Sequence, residues 1–175
     1  MSTVYNSLAL QSRDFMESSD RIPGVSQYGS VDPAPPAIET EISVLRSILL
    51  DEDARMFERM RVVFSLRNIR SSDSVKTLCD GFASDSALLK HELAYVLGQM
   101  QDEQAVPTLI EILRDSNEHV MVRHEAAEAL GAIGDRRARP VLIEFLDDDK
   151  PEVSESCEVA LDLLELCDSN KEVSW

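Results

Sequence analysis

Aromatic side chains are scarce in this chain, at 5% of 175 residues. A core built on large rings is out of reach, and thin helix-on-helix layers of Leu, Val, Ala and Ile are what remains to bury. Cysteine is also little used. Cys79, Cys157 and Cys167 have neither CxxC nor zinc-type spacing. That excludes a disulfide framework and a thiolate metal site, and it points to a reducing compartment. Cys79 and Cys157 fall on apolar helix faces and read as core residues. No apolar run approaches the ~20 residues of a membrane span. No charged segment followed by an apolar stretch opens the chain, so export is not expected and cytoplasm is the default location. Basic residues are outnumbered 17 to 33, for a net charge of −16. Without a basic stripe, nucleic acid is excluded as a partner. A basic protein segment or a metal cation suits this charge, which also serves solubility. A Gly-rich phosphate loop, a nucleophile elbow and a Ser-His-Asp arrangement are all missing, which argues against kinase, dehydrogenase and hydrolase chemistry.

What the sequence does have is repetition. LLKHELAYVLGQM (Leu88 to Met100) and MVRHEAAEALGAI (Met121 to Ile133) share one apolar frame. Leu89, Leu93, Val96, Leu97 and Met100 correspond to Val122, Ala126, Ala129, Leu130 and Ile133. Steps of four, three, one and three trace one face of an amphipathic helix. Val153, Cys157, Ala160, Leu161 and Leu164 repeat the frame, and Val62, Leu66 and Ile69 follow it more loosely. The frame therefore recurs four times, at offsets of 31, 33 and 31 residues. Each copy follows another apolar stretch: Ile42 to Leu50, Val75 to Phe82, Val106 to Leu113 and Val141 to Leu146. Pro107 and Pro140 sit near the starts of the last two, where a missing amide costs nothing. Asp102, Asp115, Asp135 and Asp147 to Asp149 punctuate the junctions as candidate caps. Two helices per unit of this period predict an all-α fold, an α-solenoid of about four HEAT-like helical hairpins over residues 38–168. Residues 169–175 read as a tail. Residues 1–37 read as a disordered or loosely ordered leader, with a short helix over Val4 to Phe15 and a stiff, proline-rich linker, SVDPAPPA, at Ser30 to Ala37.

Two His-Glu pairs, His91-Glu92 and His124-Glu125, occupy the same register of the two middle units. At about 100° per residue, with Leu89 at zero, His91 falls at about 200°, opposite the core, and Glu92 at about 300°, on the flank. His124 and Glu125 fall identically. If the second helices line the concave face about 8–10 Å apart, two imidazoles and two carboxylates can converge on one ion. Such a nitrogen and oxygen donor set suits iron, manganese or zinc, and open positions on Fe(II) would permit oxygen chemistry. Beside each histidine stand small residues, Ala94 and Gly98, or Ala127 and Gly131. These glycines either leave room at the site, or ease packing between neighbouring helices or help end them. His119, in the loop SNEHVM, reads as solvated. The outer units have Met60-Arg61 and Glu155-Ser156 at the pair's register.

At these residues the sequence resembles the deoxyhypusine hydroxylases, helical-repeat di-iron oxygenases. The resemblance rests on SVDPAPP, FSLRN (Phe64 to Asn68), SALLKHELAYVLGQMQ (Ser86 to Gln101), MVRHEAAEALGAIGD (Met121 to Asp135) and ESCEVALD (Glu155 to Asp162), in that order, from about Tyr28 to Glu165. It implies two halves of four hairpins each, joined by a linker, with two His-Glu pairs per half holding Fe(II), two ions per complete site. It implies His91, Glu92, His124 and Glu125 as iron ligands, and the deoxyhypusine side chain of one translation factor as substrate. SVDPAPP matches the linker between halves, so the chain resembles the C-terminal half alone. A complete site would then need a second copy or an N-terminal half. The string VRHEAAEALGAIGD also resembles the repeats of bilin lyases, but the paired registers and the linker favour the hydroxylases. The alternative from the residues themselves is a non-enzymatic adaptor that binds a basic peptide on its acidic concave face.

Overall fold

The computed structural model describes residues 32–173. The compact helical unit begins at Ala34. The helix expected over Val4 to Phe15, and most of the leader, lie outside the described residues. Within the described residues, eight α-helices follow in order: α1 (Ile42–Leu49), α2 (Met56–Ile69), α3 (Ser72–Asp80), α4 (Ala87–Met100), α5 (Val106–Arg114), α6 (Val120–Ile133), α7 (Arg139–Glu144) and α8 (Pro151–Val173). No strand occurs among the described residues. The helices pair as four hairpins, and the second helices α2, α4, α6 and α8 pack side by side as one layer. This is the expected α-solenoid.

Local chemistry sets the helix starts. Ser71 and Ser74 exchange side-chain and backbone hydrogen bonds in a capping box at α3, and Ser86 Oγ accepts from Leu89 N at α4. Pro107 and Pro140 lie in the first turns of α5 and α7, and Pro151 opens α8. The junction aspartates act one step earlier than expected. Asp102 and Asp135 cap single 3₁₀ turns, Glu103–Ala105 and Arg136–Ala138, which lead into α5 and α7. The frame residues are the core: Leu89, Leu93, Val96 and Leu97, then Val122, Ala126 and Leu130, then Val153, Cys157 and Ala160, are all buried. Two boundaries differ from expectation. α8 runs through Asp168 to Val173 instead of giving way to a tail at 169. The end of the linker is docked on α2: Ala34 is buried, Ala37 N donates to Arg61 O, and the Arg61 guanidinium donates to the carbonyls of Pro35 and Pro36.

Three devices position the second helices. The first is close approach. A Cβ on Gly98 would stand 3.0 Å from Ala129 Cα, and one on Gly131 would stand 2.7 Å from Ala160 Cα. The glycines therefore serve helix packing, one of the readings left open by the sequence. The second is at the helix ends. Arg70, Gln101 and Gly134, at one register, all adopt the left-handed conformation (φ 54°, 52° and 75°). That conformation is costly with a Cβ present. Arg70 and Gln101 offset the cost by donating to the carbonyls of Met100 and Ala132 at the end of the next second helix. The third is a row of cations that the apolar pattern did not reveal. Arg59, Lys90 and Arg123 share the register just before the His-Glu pair. Arg59 and Arg123 are buried and donate to the last carbonyls of α1 and α5, at Leu49 and Leu113. Each of the three also pairs with a loop acid: Glu52, Glu118 and Asp148 respectively.

Candidate metal centre

The pairing of α4 with α6 carries the site. Because the next second helix lies alongside, the flank of one helix faces the histidine register of the one before it. Glu125, expected on an open flank, is consequently buried on α6, and its Oε2 lies 3.2 Å from His91 Nε2 on α4. The same oxygen lies 4.0 Å from His124 Nε2. His91, His124 and Glu125 each present one donor atom within 4.8 Å of the others. Both histidines are partly buried, which agrees with their expected position outside the core.

Glu92 stands outside this trio. On α2, the preceding second helix, the histidine register holds Met60 instead of an imidazole. The structure thus brings three of the four expected residues together on one point. His119 is exposed, and its Nδ1 accepts from Met121 N as the cap of α6.

The electrostatics fit a cation. The hydrogen bond to Glu125 raises the His91 pKa above its ordinary value. Partial burial opposes this, and Glu125, Glu92 and Glu128 add to it as charges. Two imidazole nitrogens and a buried carboxylate are a donor set that could hold iron, manganese or zinc. Burial raises Cys79 and pushes Cys157 up to about 11, which disfavours the thiolate that a metal would need.

Beside the trio lies a groove of about 460 Å³ between α4, α6 and α8. Its walls include Tyr95, Ala129, Val159 and Leu163, with Glu125 and Glu128 as acids. A second hollow of about 300 Å³ shares Glu128 and Val159 and adds His124, Glu152, Glu155 and Ser156. Together they offer an apolar track beside carboxylates, which suits an aliphatic chain bearing an amine. Reading the sequence missed the groove, because its walls come from three helices whose outward residues carry no periodic signal.

Comparison with known proteins gives a consistent result. A family model for HEAT repeats matches residues 78–162. The chain is 51% identical over 158 residues to the deoxyhypusine hydroxylase of Gallus gallus, covering 90% of this chain and 53% of that protein. It is 53% identical over 147 residues to the Arabidopsis thaliana deoxyhypusine hydroxylase, covering 83% and 47%. A solved structure of human deoxyhypusine hydroxylase in complex with glycerol superposes with a TM-score of 0.81 at 45% identity, covering 91% of this chain and 55% of that one. The chain spans about half the length of the curated relatives it matches.

Proposed function

We propose that this chain, homologous to the deoxyhypusine hydroxylases over most of its own length, supplies half of an iron-dependent monooxygenase that hydroxylates the deoxyhypusine side chain of a translation factor in the cytoplasm. The observation that carries the proposal is the trio of His91, His124 and Glu125 on adjacent helices. It occurs in a chain whose sequence and fold follow those relatives. Glu92 completes the proposed ligand set. Two Fe(II) ions per complete site require a second set of ligands, from a second copy of this chain or from an N-terminal half.

Bound Fe(II) would supply the dioxygen chemistry that inserts one oxygen atom into a C–H bond. This chain's residues do the rest. The imidazoles offer neutral nitrogen, and Glu125 offers a negative charge held in place by burial. The groove walls at Val159 and Leu163 exclude water from an aliphatic chain, while Glu128 attracts its ammonium.

The direct test is a single-turnover assay. The chain is loaded with Fe(II), alone and with the N-terminal half of the chicken relative. It is then given the deoxyhypusine-bearing factor, dioxygen and a reductant. A mass gain of one oxygen atom on the factor, lost in His124→Ala, is the expected result. Iron-loaded protein that leaves the factor unchanged in both formats would refute the reading and favour the adaptor.

A further inference from the structure

The two histidines of the trio are held differently. His91 meets Glu125, the next unit's residue at the glutamate register. His124 meets the residue at that same register one unit on, Ser156, with Nδ1 2.6 Å from Ser156 Oγ. Ser156 is buried, and its hydroxyl donates to Glu152 O one turn back at 2.7 Å. A hydroxyl has one proton and two lone pairs. With its proton committed to that carbonyl, Ser156 Oγ can only accept from His124. The ring proton must then sit on Nδ1, and a neutral imidazole carries only one.

We propose that Ser156 is a positioning residue that fixes His124 in the Nδ1–H tautomer, leaving the Nε2 lone pair aimed at the point it shares with Glu125 and His91. As a statement about metal binding, this rests on the iron reading above. The 4.0 Å from His124 Nε2 to Glu125 Oε2 fits that role. It is too long for a hydrogen bond and close to twice a metal–ligand bond of roughly 2.0–2.2 Å. Glu128 Oε1 also lies near His124 Nδ1, at 3.7 Å, but it is outside hydrogen-bond range and its side chain is 46% exposed. The fourth unit lacks a His-Glu pair, yet it contributes through this serine. Its hydroxyl orients the last histidine of the series without adding a charge.

The test uses the full chain, metal-free, with ¹⁵N-labelled histidine, at a pH where the imidazoles are neutral. Two-bond nitrogen–proton correlation spectra report which ring nitrogen carries the proton. His124 should show Nδ1–H in the wild type and in Ser156→Thr, which keeps the hydroxyl. In Ser156→Ala it should shift toward Nε2–H. Co(II) affinity should fall roughly 10–100-fold in Ser156→Ala, the usual effect of removing such a partner, with the melting curve unchanged and with recovery in Ser156→Thr. An Nε2–H ring in the wild type would overturn the proposal. So would a Ser156→Ala spectrum identical to the wild type, which would give the role to Glu128. If the wild type binds no Co(II), the iron reading fails, while the position of the ring proton still decides the role of Ser156.

Discussion

Gly131→Ala puts a number on how tightly the second helices are packed. The added Cβ would meet Ala160 at 2.7 Å from Cα, 2.8 Å from Cβ and 3.2 Å from the carbonyl oxygen. Two of these three atoms are backbone, so no side chain can rotate away, and α8 must move as a body. Overpacking of this kind costs about 1–3 kcal/mol, and contact with backbone belongs at the upper end. Replacing a mid-helix glycine by alanine returns about 1 kcal/mol through helix propensity. The net expectation is a loss of about 1–2 kcal/mol, a fall in Tm of roughly 2–8 °C for a domain of this size. Gly98→Ala is the internal control. Its Cβ would stand 3.0 Å from Ala129 Cα and 3.2 Å from Ala129 Cβ, so its loss should be smaller. Thermal melts followed by far-ultraviolet circular dichroism give both values. A higher Tm for Gly131→Ala would refute the reasoning, since propensity alone would then decide and the glycine would not be needed for close approach.

Other expectations follow from the site and from the buried cations. Arg123 and Asp148 are each only 7% exposed in their side chains. Arg123→Ala strands a buried carboxylate and should cost about 3–5 kcal/mol in urea unfolding; a loss below about 1 kcal/mol would contradict the pairing. Burial acts to raise Asp148, but its bonds to Arg123 and to the Lys150 amide win and hold it below its ordinary 3.8. Its contribution is therefore present above that value and lost as pH falls through the lower folded value, so Asp148→Asn should flatten the acid limb of a stability–pH curve. His91 is raised above 6.5 by Glu125, so protons compete with metal there. Co(II) affinity should begin to fall at a pH above 6.5 on acidification, and a constant affinity through that range would count against His91 as a ligand. His91→Ala and His124→Ala should each lower iron content with the melt intact, because neither side chain is in the core; unchanged iron in both would remove the ligand assignment.

The four hairpins were legible in the sequence because burial on one helix face leaves a period, and because Pro107 and Pro140 mark where helices begin. The His-Glu register was legible for the same reason: an exact repeat stands out even when its residues are polar. What one helix wheel could not show was the partner helix. It placed Glu92 and Glu125 identically, yet Glu125 faces an imidazole on α4, while Glu92 stands outside the trio and the preceding helix has Met60 at the histidine register. Arg59, Lys90 and Arg123 escaped because charged residues count as surface in an apolar pattern; their spacing of 31 and 33 residues was the signal that could have found them. Ser156 was visible only as the residue filling an empty register. Its role depends on a proton committed to Glu152 O, a bond that exists only once α8 is formed.

Iron per chain, measured together with native mass on one size-exclusion peak of the Fe(II)-reconstituted protein, tests the central claim most directly. One iron per chain, lost in His124→Ala, is the predicted result, with a dimeric mass if two copies complete the site. A folded chain that holds no iron, with His124→Ala indistinguishable from it, would contradict the account and leave a helical-repeat binding module.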